Sequence, residues 1–340
     1  MPTKRAMVIH SNSDYNCGDL LTYYGTKGIL KSIYGNDVDI LQFDIRRAIK
    51  EIDTYVLEFG WGDVDLIVLA GSPWLWNVCE ESNKYKLLLD AMKRWPNAKC
   101  LGFGLGTCFS HKCYHNIRYD MKDHYFFNHL PRKKILNEIY SRFQYILVRD
   151  EFAKILLTRC GVKSNYSYDT SIYAYKYFTP KKNVGDKKIL FFYDPSKGLS
   201  KDSLGFTHEE YIDYQVDWAK KNNALVYYNA AEEGEALIKR GINYGKFTVD
   251  LEYLLHIFSG CDTMLTGRVH MGALGFLAGI KNISVLPVDT RFLSVTKLGI
   301  KPVFIGKEWV YDVPKIADNI WEDIKIEENK IIEDIKNAAG

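Results

Sequence analysis

The segment FQYILVRDEFAKILLTRCG, residues 143–161, reads as a strand, a charged corner and a helix. Residues 143–148 are an apolar run of the length expected for a strand buried on both faces. Polarity changes at Arg149; residues 150–160 then carry apolar side chains at helical spacing, and Gly161 supplies a stop. A strand feeding directly into a helix is half of a βαβ crossover, so this segment predicts a parallel α/β sheet. The rhythm returns at 263–279, where an apolar run meets Gly267-Arg268-Val269-His270 and then a small-residue helix closed by Gly279.

Working outward, strand-like runs at 6–10, 65–70 and 99–104 precede the segment, with a helix at 20–34 after the first. Beyond it come strands at 188–193, 225–228 and 282–287 and helices at 209–222 and 251–258. The polar, Pro- and Gly-punctuated stretch 179–186 lies between the two sets and reads as a linker. We therefore expect an N-terminal domain over 1–179, a second over 187–312, and an amphipathic helical segment over 313–340.

Composition narrows the function classes. A hydrophobic content of 47% and a charged content of 26% fit folded domains and exclude disordered or collagen-like chains. With Lys+Arg 45 against Asp+Glu 42 there is no dense basic stripe, which disfavours nucleic acid as a partner. No apolar run is long enough to span a membrane, and no apolar signal segment follows Lys4 and Arg5. Seven scattered cysteines read as free thiols, so the expected compartment is the cytoplasm. The run from Cys108 to His115 alternates cysteine and histidine, but its spacing lacks the paired pattern of structural zinc, so no metal is expected.

Ligands of open parallel sheets sit beyond the carboxyl ends of the strands, where helix N-termini offer free N–H groups. Those ends carry Asn16, Gly18 and Asp19; Gly71 and Ser72; Thr107; Arg149; and Arg268 with His270. Two of them deliver an arginine where a helix begins, a planar fork suited to carboxylate and phosphate. His270, two residues after Arg268, sets a titratable group beside that anion and is the candidate general acid. Asp19 is either a general base or the cap of the first helix.

Taken in chain order, Asn16-Cys17-Gly18-Asp19, the run 65–70 with Gly71, the stretch 102–107, Val148-Arg149-Asp150, Tyr168-Asp169 and Arg268-Val269-His270 resemble the polysaccharide pyruvyltransferase family. That resemblance implies a GT-B-like fold, two Rossmann-like domains facing across a cleft, and transfer of a pyruvyl group from phosphoenolpyruvate to a saccharide or glycan-lipid acceptor without a cofactor. It makes Arg149, Arg268, Arg291, Gly18 and Asn16 the candidate donor-binding residues, with His270 and Asp19 catalytic. Gly71, Ser72, Trp74, Trp76 and Thr107 become candidate acceptor contacts, core packing being the other reading of Trp74 and Trp76. The chain departs from the family pattern at Ala70-Gly71-Ser72, at Asp169-Thr170, and at Arg291 where a lysine is usual, a change from point charge to fork. A GT-B glycosyltransferase using a sugar nucleotide is the alternative, with Glu232-Glu233 in an expected 230–235 loop meeting the donor.

Overall fold

The computed structural model describes residues 3–11, 16–44, 52–54, 58, 60, 62–71, 74–75, 83–108, 130–179, 188–195, 206–305 and 319–339. Among the described residues two six-stranded parallel sheets are formed. The first contains β1 (Lys4–His10), β2 (Val38–Asp44), β3 (Leu66–Ala70), β4 (Lys99–Leu105), β5 (Phe143–Val148) and β6 (Asn165–Tyr166), in the order β2-β1-β3-β4-β5-β6. The second contains β7 (Lys188–Phe192), β8 (Leu225–Tyr228), β9 (Lys246–Phe247), β10 (Cys261–Thr266), β11 (Asn282–Val285) and β12 (Lys301–Pro302), in the order β12-β11-β10-β7-β8-β9. Residues 180–186 of the expected linker, with 187, and the stretch 306–318 lie outside the described residues.

Central strands read as unbroken apolar runs because helices cover both faces of each sheet; all five residues of β3 are buried. In the second sheet the two-residue period sorts side chains between two cores. Leu190 and Phe192 of β7 and Met264 of β10 join a core continuous with the first half of the chain. Phe191, Tyr193 and Leu265 point the other way, into a separate cluster with Tyr211, Ile212 and Val216 of the helix His208–Lys221. One face of the second sheet thus locks the halves together through the helices Leu251–Phe258 and Val269–Leu277.

Two other contacts position the site. The first helix, Cys17–Tyr34, runs against the 3-10 helix Thr170–Lys176; a Cβ on Gly25 would strike the carbonyl of Thr170, so only glycine permits that approach. The last helix, Ile320–Ala339, returns to the first sheet, burying Ile324, Ile331 and Ile335 in the shared core. Trp321 packs against both Tyr175 and Phe276, and Lys176 pairs with the buried Glu328 at 2.7 Å. The expected 230–235 loop is instead the start of a helix, Ala231–Lys239. Its interior Gly234, a helix-weakening residue that disguised it, faces the Tyr228 ring, which a Cβ would meet at 2.7 Å.

Candidate active site between the two sheets

The carboxyl ends of both sheets converge on a cavity of about 90 Å³ lined by Asn16, Gly18, Arg149, Asp194, Arg268, His270 and Arg291 among others. Each residue arrives for a local reason. Asn16 is the N-cap of the first helix: its side-chain carbonyl accepts from Gly18 N–H at 3.1 Å while its amide donates to Asp19 at 2.8 Å. The capping role left open for Asp19 therefore belongs to Asn16. Asp19 sits in the first helical turn, and burial raises its carboxyl above the ordinary range against the opposing charges of His270 and Arg149.

Arg149 follows β5 and is buried, its backbone N–H bonded to Leu105 O at 3.1 Å. Its Nη1 lies 3.0 Å from Asp169 Oδ2 and 2.9 Å from His270 Nε2, so one guanidinium joins the two halves of the chain. Burial alone would raise the Asp169 carboxyl; Arg149, His270 and the N–H of Ser171 outweigh it and hold it well below the usual carboxylate range. Asp150, the next residue, caps the helix Glu151–Arg159 through Ala153 N–H at 2.8 Å and also accepts from Thr107 N–H at 2.8 Å.

Arg268 occupies the matching place after β10 and keeps 19% of its side chain exposed. It pairs with Glu233 and donates to Tyr193 O at 3.1 Å. The helix Val269–Leu277 that it opens has no side-chain cap, so the helix N-terminus is left to face the cavity as an anion-binding end. Glu233 has its carboxyl raised by burial, which Arg268 opposes. Arg291 also reaches the cavity, but its fork is engaged by Asp289, with Nη2 to Oδ2 at 2.7 Å. Every candidate donor arginine therefore carries its own carboxylate.

Several expected acceptor contacts turn out to be structural. Thr107 is fully buried, and its hydroxyl bridges Asp150 at 3.0 Å and Thr290 at 3.1 Å, tying the halves together rather than facing a cleft. Trp74 is fully buried and packs edge-on against Tyr85 at 6.0 Å, so it is a core residue. Gly71 has φ +59 and packs on Thr22, where a Cβ would come within 2.7 Å. Ser72 and Trp76 lie outside the described residues, as does the Cys108–His115 run apart from Cys108. The Cys108 thiol meets Asp289 at 3.3 Å and is pushed up to about 12 by burial and that carboxylate.

Among the site's carboxylates, Asp194 is the one the sequence reading does not name, and Asp169 and Glu233 are named there without their arginine partners. Asp194 directly follows the predicted strand 188–193, so strand-end reasoning could have found it; its Oδ2 accepts from Tyr211 at 3.0 Å. Asp169 follows β6, a two-residue strand too short to signal itself in sequence.

A profile of the family described as polysaccharide pyruvyl transferase matches residues 16–289. Among curated proteins nothing matches. Among solved structures, the Staphylococcus aureus MnaA–UDP co-structure is similar with a TM-score of 0.52 at 12% identity, covering 98% of this chain and 91% of that one. The Methanocaldococcus jannaschii UDP-GlcNAc 2-epimerase in complex with UDP-GlcNAc and UDP gives a TM-score of 0.50 at 11% identity, covering 96% and 99%. At such identities the likeness shows the fold, the GT-B-like pairing of two Rossmann-like domains. The profile spans every residue of the cavity except Arg291, and the chain belongs to the polysaccharide pyruvyl transferase family.

Proposed function

We propose that the protein transfers the pyruvyl group of phosphoenolpyruvate to hydroxyls of a saccharide or glycan-lipid acceptor in the cytoplasm, forming a pyruvyl ketal. The observation that carries this reading is the Arg149–Asp169–His270 cluster, held beside Arg268 and an uncapped helix N-terminus in one cavity. An anion with both carboxylate and phosphate matches guanidinium forks and free helix N–H groups. His270 gives a proton to C3 of the donor, and C2 becomes an oxocarbenium centre. A sugar hydroxyl adds to C2, losing its proton to Asp19, whose raised carboxyl makes it a stronger base than an exposed aspartate. The C2–O bond to phosphate then breaks, inorganic phosphate departs, and a second hydroxyl of the same sugar adds and loses its proton to close the ketal. No step draws on a metal ion or cofactor.

The sugar-nucleotide alternative draws on the fold, yet of the two residues it assigns to the donor, Glu232 and Glu233, the second already holds Arg268 and accepts from Asn229 N–H at 3.0 Å. Thermal unfolding with each donor class separates the readings, because a ligand that binds only the native state raises the melting temperature. Phosphoenolpyruvate is expected to stabilise the protein and a panel of UDP-sugars to leave it unchanged. Stabilisation by a UDP-sugar alone would replace this proposal with the alternative.

A further inference from the structure

Two groups of opposite charge meet around one nitrogen of His270. Arg149 Nη1 stands 2.9 Å from Nε2, and Asp169 Oδ2 stands 3.5 Å from the same atom. A guanidinium can only donate, so in this arrangement Nε2 accepts and the neutral ring carries its proton on Nδ1. Nδ1 lies on the other side of the ring, towards Gly18: a Cβ built there would fall 2.9 Å from Nδ1 and 2.9 Å from the His270 Cβ. Glycine at 18 thus leaves clear the space in front of Nδ1, within the cavity lining.

A ring that gains a second proton must turn Nε2–H away from Arg149 and towards an acceptor, and Asp169 is placed for that. It cannot swing aside. Its other oxygen caps the 3-10 helix through Ser171 N–H at 2.9 Å, and that helix is pressed against the first helix at Gly25. Asp169 is fully buried, and its strongly lowered carboxyl keeps it an anion. The other charged groups around the ring are Asp19 on the first helix, Arg268 on the same turn, and Asp194 and Arg291 across the cavity.

We infer that Asp169 is a positioning residue that serves as counter-ion to the His270 imidazolium, and that the proton given to substrate leaves from Nδ1 on the Gly18 side. The inference rests on the pyruvyl-transfer reading for its substrate, but its ring chemistry does not. In the transfer, the Nδ1–H bond breaks, C3 of phosphoenolpyruvate takes the proton with its alkene electron pair, and His270 passes transiently through the neutral Nε2–H form, facing Asp169. Beside Arg149 that form is the less stable of its two neutral tautomers and not the one the donor-free protein holds at equilibrium. Reprotonation at Nδ1 by a proton released from the acceptor hydroxyls restores the imidazolium.

The test is nitrogen NMR of the full chain with labelled histidine, His270 being assigned among the eight histidines by its loss in His270→Asn. In the unmutated protein the neutral ring is expected in the Nδ1–H form. In Asp169→Asn, which keeps the shape and removes the charge, the ring is expected to lose its second proton at a pH lower by about one unit or more, since Arg149 then faces Nε2 with no carboxylate beside it. A dominant Nε2–H neutral form, or an unchanged titration in Asp169→Asn, overturns the inference. If that variant does not fold, the tautomer in the unmutated protein decides alone. Neither readout uses phosphoenolpyruvate, so failure of the donor to bind would sink the functional reading while leaving this result standing.

Discussion

The ends of β5 and β10 carry the same sequence device, a strand running into arginine and then a helix, and the fold puts them to different uses. After β5, Asp150 satisfies the new helix and Arg149 is sealed between Asp169 and His270. After β10, no side chain caps the helix and Arg268 stays partly exposed in the cavity. The first arginine organises charge across the two halves; the second, paired with Glu233, keeps part of its side chain exposed to the cavity. A strand-end arginine therefore predicts positive charge at a site but not the role of that charge, which depends on whether the adjacent residue has already satisfied the helix N-terminus.

Removing each arginine should expose that difference. Arg149→Ala strands the fully buried Asp169 and is expected to cost about 3–5 kcal/mol of stability, the penalty of a broken buried pair. Arg268→Ala should cost clearly less, because Glu233 already has a raised carboxyl and can take up a proton when its partner is lost. Chemical denaturation of both variants at neutral pH measures the contrast; equal losses would erase it.

The capping difference predicts a smaller effect. Asp150→Ala should destabilise the protein by about 0.5–2 kcal/mol, as for other N-caps, with the lost Thr107 bonds placing it at the upper end. A substitution at Val269, which follows the uncapped corner, removes no such bond. Unfolding curves showing no loss for Asp150→Ala would mean that the cap contributes nothing.

Acid sensitivity sharpens the same comparison. The Asp169 carboxyl is lowered in the folded state, so its stabilisation is complete above the unfolded value of about 3.9 and is lost as pH falls below that towards the folded value. Asp19 and Glu233 are raised, so their contribution has the opposite sign: it is present at low pH and disappears as pH rises through their folded values. Asp169→Asn should accordingly flatten the fall in stability below about pH 4. A variant that keeps the full acid-induced loss would contradict the assignment.

What could be read from the sequence follows the same division between local and long-range causes. Residues 143–148, 225–228 and 251–258 match their elements because an apolar run bounded by turn signals is a local property. The strand Val38–Asp44 was not read, since its alternation of partly buried residues belongs to a sheet edge, and the two-residue strands β6, β9 and β12 exist only through their neighbours. At the site, Arg149, Arg268 and His270 were legible as strand-end residues. Their pairing with carboxylates was not, because Asp169 lies 20 residues from Arg149 and Glu233 lies 35 from Arg268. Trp74 and Thr107 follow strand ends in the chain, but only tertiary packing determines that their side chains turn inward.

The central claim is that Arg268 holds the donor while His270 acts on it, and calorimetry of phosphoenolpyruvate binding to Arg268→Ala and His270→Ala tests it directly. Arg268→Ala should weaken binding by about 2–4 kcal/mol, the loss typical of a charged contact, whereas His270→Ala should bind nearly as the unmutated protein does while turnover falls by about 10²–10⁴-fold. Undiminished binding by Arg268→Ala, or no binding by His270→Ala, would contradict that division of roles.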